Sequence, residues 1–108
     1  MIAVRPKDIN DLKRVIDDAL KNGKLVYISA TPCSECEEFE ALLETLLTKD
    51  ELNMIIKVDI PDDDEIVNYV LNDLGIPGSP TVITPNTILD DFDTYELAVK
   101  VREYIRRK

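Results

Sequence analysis

The sequence predicts an α/β domain in which strands and helices alternate along the 108 residues. Short apolar runs rich in β-branched residues alternate with segments whose apolar residues recur at helical spacing. Two cysteines, Cys33 and Cys36, stand between the second apolar run and the second helical segment. The length fits one domain spanning residues 1–108, and neither a repeat nor a linker divides it.

The first half of the chain begins with a short predicted strand from Ile2 to Val4. A helix follows and ends at Asn22-Gly23; its apolar face consists of Ile9, Leu12, Ile16, Ala19 and Leu20. Leu25 to Ala30 is an apolar run that predicts a buried strand leading into the cysteines. From Cys33 the pattern is helical again. The apolar stripe of this second helix is Phe39, Leu42, Leu43, Leu46 and Leu47, and the glutamates at 35, 37, 38, 40 and 44 lie elsewhere on it.

The second half continues the alternation. A strand is predicted from Met54 to Ile60, and the aspartates at 62–64 are typical of a helix start. That helix ends at Gly75; the residues predicted to point inward are Ile66, Val70, Leu71 and Leu74. Strands from Thr81 to Thr84 and from Thr87 to Leu89 form a predicted hairpin around Pro85-Asn86. The last helix starts at about Thr94, packs through Leu97, Ala98, Val101, Tyr104 and Ile105, and ends in a basic tail, Arg102, Arg106, Arg107 and Lys108.

Composition excludes several classes of function. The apolar fraction is 44% and the charged fraction 32%, as in soluble globular proteins. No run reaches the roughly 20 apolar residues of a membrane span, and the first eight residues lack the apolar core of a secretory signal. We therefore expect a cytoplasmic monomer. A net charge of −9 argues against nucleic acid, and the absence of histidine excludes catalytic sites built on it.

The cysteine pair indicates redox chemistry. A bridge between Cys33 and Cys36 closes a tiny loop and would stabilise the fold by about 2 kcal/mol at best. A reversible disulfide is a better explanation of this spacing than a structural one. Zinc would find only two good ligands per chain, so we expect no metal site and no cofactor other than the redox-active disulfide itself.

Two motifs together resemble the thioredoxin family. One is the CxxC pair at the start of the second helix. The other is the segment from Gly75 to Ile83, in which Pro80 occupies the position of the family's cis-proline before the fourth strand. The resemblance implies a thioredoxin fold, with a central mixed β-sheet flanked by helices in the order β-α-β-α-β-α-β-β-α.

The resemblance also implies a function, thiol–disulfide exchange with protein disulfides and an unknown reductase. A helix start favours a thiolate, so Cys33 is expected to attack and Cys36 to act as the resolving thiol. Ser79 and Pro80, together with Pro32, are expected to form the edge where substrate docks.

Two positions of this chain depart from the family pattern near the cysteines, and a third matches it. Glu35, with Glu37 and Glu38 beyond it, brings negative charge to the thiols and opposes the effect of the helix start, or it recognises a basic partner. Tyr27 replaces the family's buried aspartate, although a tyrosine is a poor base at neutral pH. Lys57 matches a family lysine in the third strand and is either beneath the site or a lysine whose head reaches water.

Two alternative functions remain open at this point. One is a glutaredoxin-like, glutathione-dependent oxidoreductase, for which Ser29 to Cys33 is the main indication. The other is a non-enzymatic module, either a redox-regulated binding protein or a dimer that shares a four-cysteine metal site.

Overall fold

The computed structural model describes residues 1–91 and 93–107. Its five strands form a mixed sheet in the order β1-β3-β2-β4-β5. Strands β1 and β2 both run parallel to β3, whereas β4 is antiparallel to β2 and β5 is antiparallel to β4. The strands are β1 Ile2–Val4, β2 Leu25–Ala30, β3 Ile55–Ile60, β4 Thr81–Ile83 and β5 Ile88–Leu89.

Helices cover both faces of this sheet. They are α1 Ile9–Lys21, α2 Ser34–Leu46, α3 Lys49–Leu52, α4 Asp64–Asn68 and α5 Thr94–Arg106, and α4 continues into a π-helical turn over Tyr69–Asp73. Alternate residues of β2 point to opposite faces: Leu25 and Tyr27 join a core with α2 and α5, and Val26 and Ile28 join a second core with α1 and α4. Burial on both faces explains why β2 is apolar without alternation.

The predicted thioredoxin fold is confirmed, with its mixed sheet flanked by helices. The predicted helix start at residues 62–64 is also correct, because Asp63 caps α4 by accepting hydrogen bonds from the amides of Glu65 and Ile66. The predicted strand boundaries are each within one residue of the observed ones. Among the described helices, none is long and apolar enough to cross a membrane.

The prediction that Leu71 points inward is wrong, because 46% of this residue is exposed. Ile66 and Val70, four residues apart, share the buried face. At Tyr69 the helix widens to a π-helical turn, in which the amide of Leu74 donates to the carbonyl of Tyr69. Leu71 follows the buried Val70 directly and lies on the exposed side of this turn.

Helix α3 was not expected, and it gives the basic tail a partner. Thr48 and Glu51 form a capping box at its start. Arg106 from the end of α5 donates to both carboxylate oxygens of Glu51, at 2.9 and 3.0 Å, and to the carbonyl of Leu46 at 3.4 Å. Arg106 therefore joins α5 to α3 and to the end of α2. Lys108, the last residue of the predicted basic tail, lies outside the described residues.

We predict that the free energy of unfolding of the Arg106→Gln variant falls less steeply with decreasing pH than that of the wild type. The Arg106 guanidinium lowers the pKa of Glu51 from 4.5 to about 2. Since this pKa is depressed in the folded state, the unfolded chain binds more protons between about pH 4.5 and 2, and the stabilisation is lost as pH falls through that range. Arg106 is exposed and the ion pair lies at the surface, where solvent screens it, so the effect is small. Urea unfolding at pH 2.5, 4 and 7 measures it, with Arg102→Gln as the matched control; equal slopes with pH in wild type and Arg106→Gln would contradict the prediction.

Candidate active site at the start of helix α2

Cys33 and Cys36 form a disulfide where β2 passes into α2. Cys33 is the N-cap residue of α2, and its sulfur accepts a hydrogen bond from the amide of Cys36 at 3.1 Å. Cys36 lies within the first turn and is only 2% exposed, whereas Cys33 is partly exposed. The two sulfurs thus differ in access: a substrate can approach Cys33, and Cys36 is covered.

The loop before β4 brings Ser79 and Pro80 against Cys33. The peptide bond between Ser79 and Pro80 is cis. The Ser79 carbonyl oxygen lies 3.9 Å from the Cys33 sulfur, and the Ser79 hydroxyl lies 3.5 Å from it. Because β4 pairs with β2 through Thr81 and Ile28, this loop is anchored to the strand that carries the cysteines. The structure therefore brings the two sequence motifs together, as the resemblance implies.

Pro32 and Ser79 also line an apolar groove of about 400 Å³ beside the disulfide. The groove runs between the end of β2, the end of β3 and α4 with its π-helical turn. Its apolar side chains include Ile60, Pro61, Val67, Val70, Leu71 and Ile76. The outward orientation of Leu71 therefore supplies one wall of a groove next to the exposed sulfur.

Tyr27 is fully buried in the core that β2 shares with α2 and α5. Its hydroxyl lies 2.9 Å from a carboxylate oxygen of Glu40 and 3.4 Å from the carbonyl oxygen of Cys36. Its ring packs edge-on against Phe39 with centroids 5.1 Å apart. Burial raises the pKa of the Tyr27 phenol well above its usual value of 10. At neutral pH this residue is therefore a hydrogen-bond donor and not a base.

Lys57 forms an ion pair with Glu40 under the site. Its Nζ lies 3.0 Å from Oε1 and 2.9 Å from Oε2 of that carboxylate, and the two side chains are 26% and 24% exposed. Both side chains face what we term the Lys57 pocket, of about 610 Å³. The cysteines and charged residues that line it are Cys33, Cys36, Glu37, Glu40, Glu44 and Lys57. Of the two interpretations of Lys57, the structure favours the one beneath the site.

Glu40 is the residue that the sequence analysis missed. It was grouped with Glu35, Glu37 and Glu38, which are indeed exposed. The available signal was its spacing: Glu40 follows Cys36 by four residues, and residues four apart share one face of a helix. Glu35 instead lines a separate groove with Ser79 and Pro80.

Comparison with known proteins bears on the fold. No protein-family model and no curated protein matches the chain. Among solved structures, thioredoxin of Fasciola hepatica is similar over 99% of this chain and 98% of its own, at 22% identity and a TM-score of 0.56. Oxidised thioredoxin O1 of Arabidopsis thaliana is similar over 95% and 97%, at 14% identity and a TM-score of 0.63. The germline-specific thioredoxin Deadhead of Drosophila melanogaster is similar over 93% and 97%, at 20% identity and a TM-score of 0.57.

These similarities extend over nearly the full length of both partners in each comparison, and they confirm the fold that the sequence resemblance implied. At such identities they concern architecture alone. Within residues 1–91 and 93–107, no three or more His, Cys, Asp or Glu side chains are grouped so that they could hold a metal ion. The chain has the thioredoxin fold, with a CxxC disulfide at the start of its second helix.

Proposed function

We propose that this protein is a thiol–disulfide oxidoreductase that exchanges the Cys33–Cys36 disulfide with disulfides of other proteins. The observation that carries the proposal is the unequal exposure of the two sulfurs. Cys33 is accessible and caps a helix start, and Cys36 is buried one turn further on. The fold and the disulfide support thiol–disulfide exchange, and we further propose separate roles for the two cysteines.

In the reducing direction the reaction has two steps. The Cys33 thiolate attacks one sulfur of a substrate disulfide, the substrate S–S bond breaks, and a mixed disulfide and a substrate thiolate form. The backbone amide of Cys36 donates to the Cys33 sulfur in the disulfide, so it is positioned to stabilise the Cys33 thiolate. Cys36 then attacks the Cys33 sulfur, which restores the disulfide and releases the second substrate thiol. The oxidising direction is the reverse.

Substrate binding is proposed for the surface formed by Ser79, Pro80 and Pro32. The carbonyl of Ser79 lies beside the reacting sulfur. The backbone amide of an extended substrate segment can therefore donate a hydrogen bond to it. The apolar groove lined by Leu71 and Ile60 is open next to it. An apolar side chain near the substrate cysteine would fill this groove, and each buried methylene contributes about 0.8 kcal/mol.

The charge around this surface favours basic substrates. We define the acidic rim as Glu35, Asp62 and Asp90, all exposed and all lining the grooves that flank Ser79. Asp91 lies nearby but is paired with Lys100 at 2.9 Å. The net charge of −9 adds a long-range attraction for cations. The proposed substrates are therefore protein disulfides flanked by lysine or arginine.

The experiment compares two disulfide-bonded peptides that differ only in lysine or glutamate at the flanking positions. The reduced protein is expected to reduce the basic peptide about tenfold faster at about 0.01 M ionic strength, and the difference should vanish near 1 M salt, where the Debye length is about 3 Å. Glu35→Gln with Asp90→Asn should weaken the preference, whereas Asp17→Asn, an exposed acid on α1, should not.

The outcomes separate the two parts of the proposal. Equal rates for both peptides at low salt would contradict the preference for basic substrates but not the proposed oxidoreductase activity. Reduction of neither peptide, together with turnover of glutathione mixed disulfides, would replace the proposed function with the glutaredoxin-like alternative.

A further inference from the structure

We infer that Glu40 is the proton acceptor for Cys36 when Cys36 attacks the mixed disulfide. The inference rests on the proposed function, because it concerns the second step of the same exchange. That step needs a base: a thiol of ordinary pKa is about 3% thiolate at pH 7, and Cys36 is buried away from solvent.

The position of Glu40 relative to Cys36 is the first support. The two residues are four apart on α2, so their side chains lie next to each other on one face, with Cβ atoms roughly 5–6 Å apart. Both side chains line the Lys57 pocket. The carboxylate of Glu40 therefore faces the same space as the thiol that must lose its proton.

The partners of Glu40 are the second support. Tyr27 donates to Oε2 at 2.9 Å, and Lys57 lies within 3.0 Å of both oxygens. Tyr27 also contacts the carbonyl of Cys36, so it fixes the carboxylate relative to the backbone of the resolving cysteine. A carboxylate has about four acceptor sites, and these contacts leave one for a further proton.

The other charged groups around Glu40 are poorer acceptors. Tyr27 stays protonated because of its burial, and the Lys57 ammonium has no acceptor site. Asp59 on β3 faces Arg5 at 3.9 Å and the hydroxyl of Thr31 at 3.4 Å. The remaining carboxylates of the Lys57 pocket belong to Glu37 and Glu44, and both are exposed. Glu44 also lies one turn beyond Glu40, farther along α2 from the cysteines.

Closure of the disulfide couples proton transfer from Cys36 to bond exchange at Cys33. The Cys36 S–H bond breaks, its proton goes to Glu40, and the electron pair stays on the Cys36 sulfur. That thiolate forms a bond with the Cys33 sulfur while the bond between Cys33 and the substrate sulfur breaks. The substrate leaves as a thiolate, and Glu40 then returns its proton to solvent through the open side of the Lys57 pocket.

The test follows the reduced protein with an excess of an aromatic disulfide that releases a coloured thiolate, in a stopped-flow instrument between pH 5.5 and 9.5. The first equivalent of colour reports attack by Cys33, and the second reports closure by Cys36. In Glu40→Gln, which keeps the size of the side chain, the first phase should be unchanged. The second should slow about thirtyfold at pH 7, and the slowing should shrink steadily toward pH 9.5, where a growing fraction of the thiol ionises unaided.

Three comparisons make this result specific. Glu44→Gln removes the same charge from the same pocket and should leave both phases unchanged. Glu40→Asp retains a carboxylate and should recover part of the second phase. Should Glu40→Gln fail to fold, Glu40→Asp and Lys57→Met test the inference instead, since each displaces the carboxylate and should slow only the second phase.

The results that overturn the inference are distinct from those that overturn the function. A second phase slowed by the same factor at every pH, or slowed equally by Glu44→Gln, would assign Glu40 a purely structural role. A second phase that keeps the wild-type rate would remove Glu40 from the reaction. Absence of the first phase in the wild-type protein would instead overturn the proposed oxidoreductase.

Discussion

The Cys36→Ser variant is expected to accumulate as a mixed disulfide with its substrates, close to one equivalent per chain. Cys33 is accessible at the helix start and retains its attacking role, but the variant has no second thiol to displace the substrate. The bound partner should then migrate with the protein on a non-reducing gel and be released by a reductant. Mass spectrometry of the released partners would identify the substrates directly.

The Cys33→Ser variant is the matched control and is expected to trap almost nothing. It leaves Cys36 as the sole thiol, and this residue is 2% exposed, so a protein disulfide cannot reach its sulfur without local opening of α2. Trapping through Cys36 instead of Cys33 would reverse the assigned roles. Trapping by neither variant, with no exchange by the wild-type protein, would contradict the oxidoreductase proposal.

Much of the fold could be predicted because its core residues follow simple periodicities. α1 presents Leu12, Ile16 and Ala19 at helical spacing, and all three are buried. β2 is apolar at most of its positions because helices cover both of its faces. The cysteine pair and Pro80 are far apart in sequence, yet the antiparallel pairing of β4 with β2 brings their loops together. The resemblance of the two motifs to the thioredoxin family was sufficient to predict this contact.

Other features could not be predicted because they depend on contacts between elements. The four residues of α3 are too few for a periodic pattern, and this helix is joined to the end of α5 by Arg106. The π-helical turn that exposes Leu71 has no distinctive composition. Glu40 has the same residue type as its exposed neighbours on α2. Its contacts differ because Tyr27 and Lys57 reach it from two neighbouring strands.

The Phe39→Ala variant is expected to lose about 3–5 kcal/mol of the free energy of unfolding, because it removes a large side chain from a site with no exposure. A domain of this size has roughly 5–15 kcal/mol in total, so this loss leaves it marginally stable. The ring of Phe39 also supports Tyr27, whose hydroxyl holds Glu40. Loss of packing in this core should therefore also slow the closure step, through misplacement of the carboxylate.

Urea unfolding at pH 7 measures the effect, and Leu71→Ala is the control. Leu71 is also apolar and helical, but 46% of it is exposed, so its truncation should cost less than about 1 kcal/mol. An unchanged slope with urea in both variants would indicate that only the folded state is affected. Similar losses for the two variants would contradict the assignment of Phe39 to the core and of Leu71 to the wall of the groove, and with it the support that we ascribe to Phe39 under the active site.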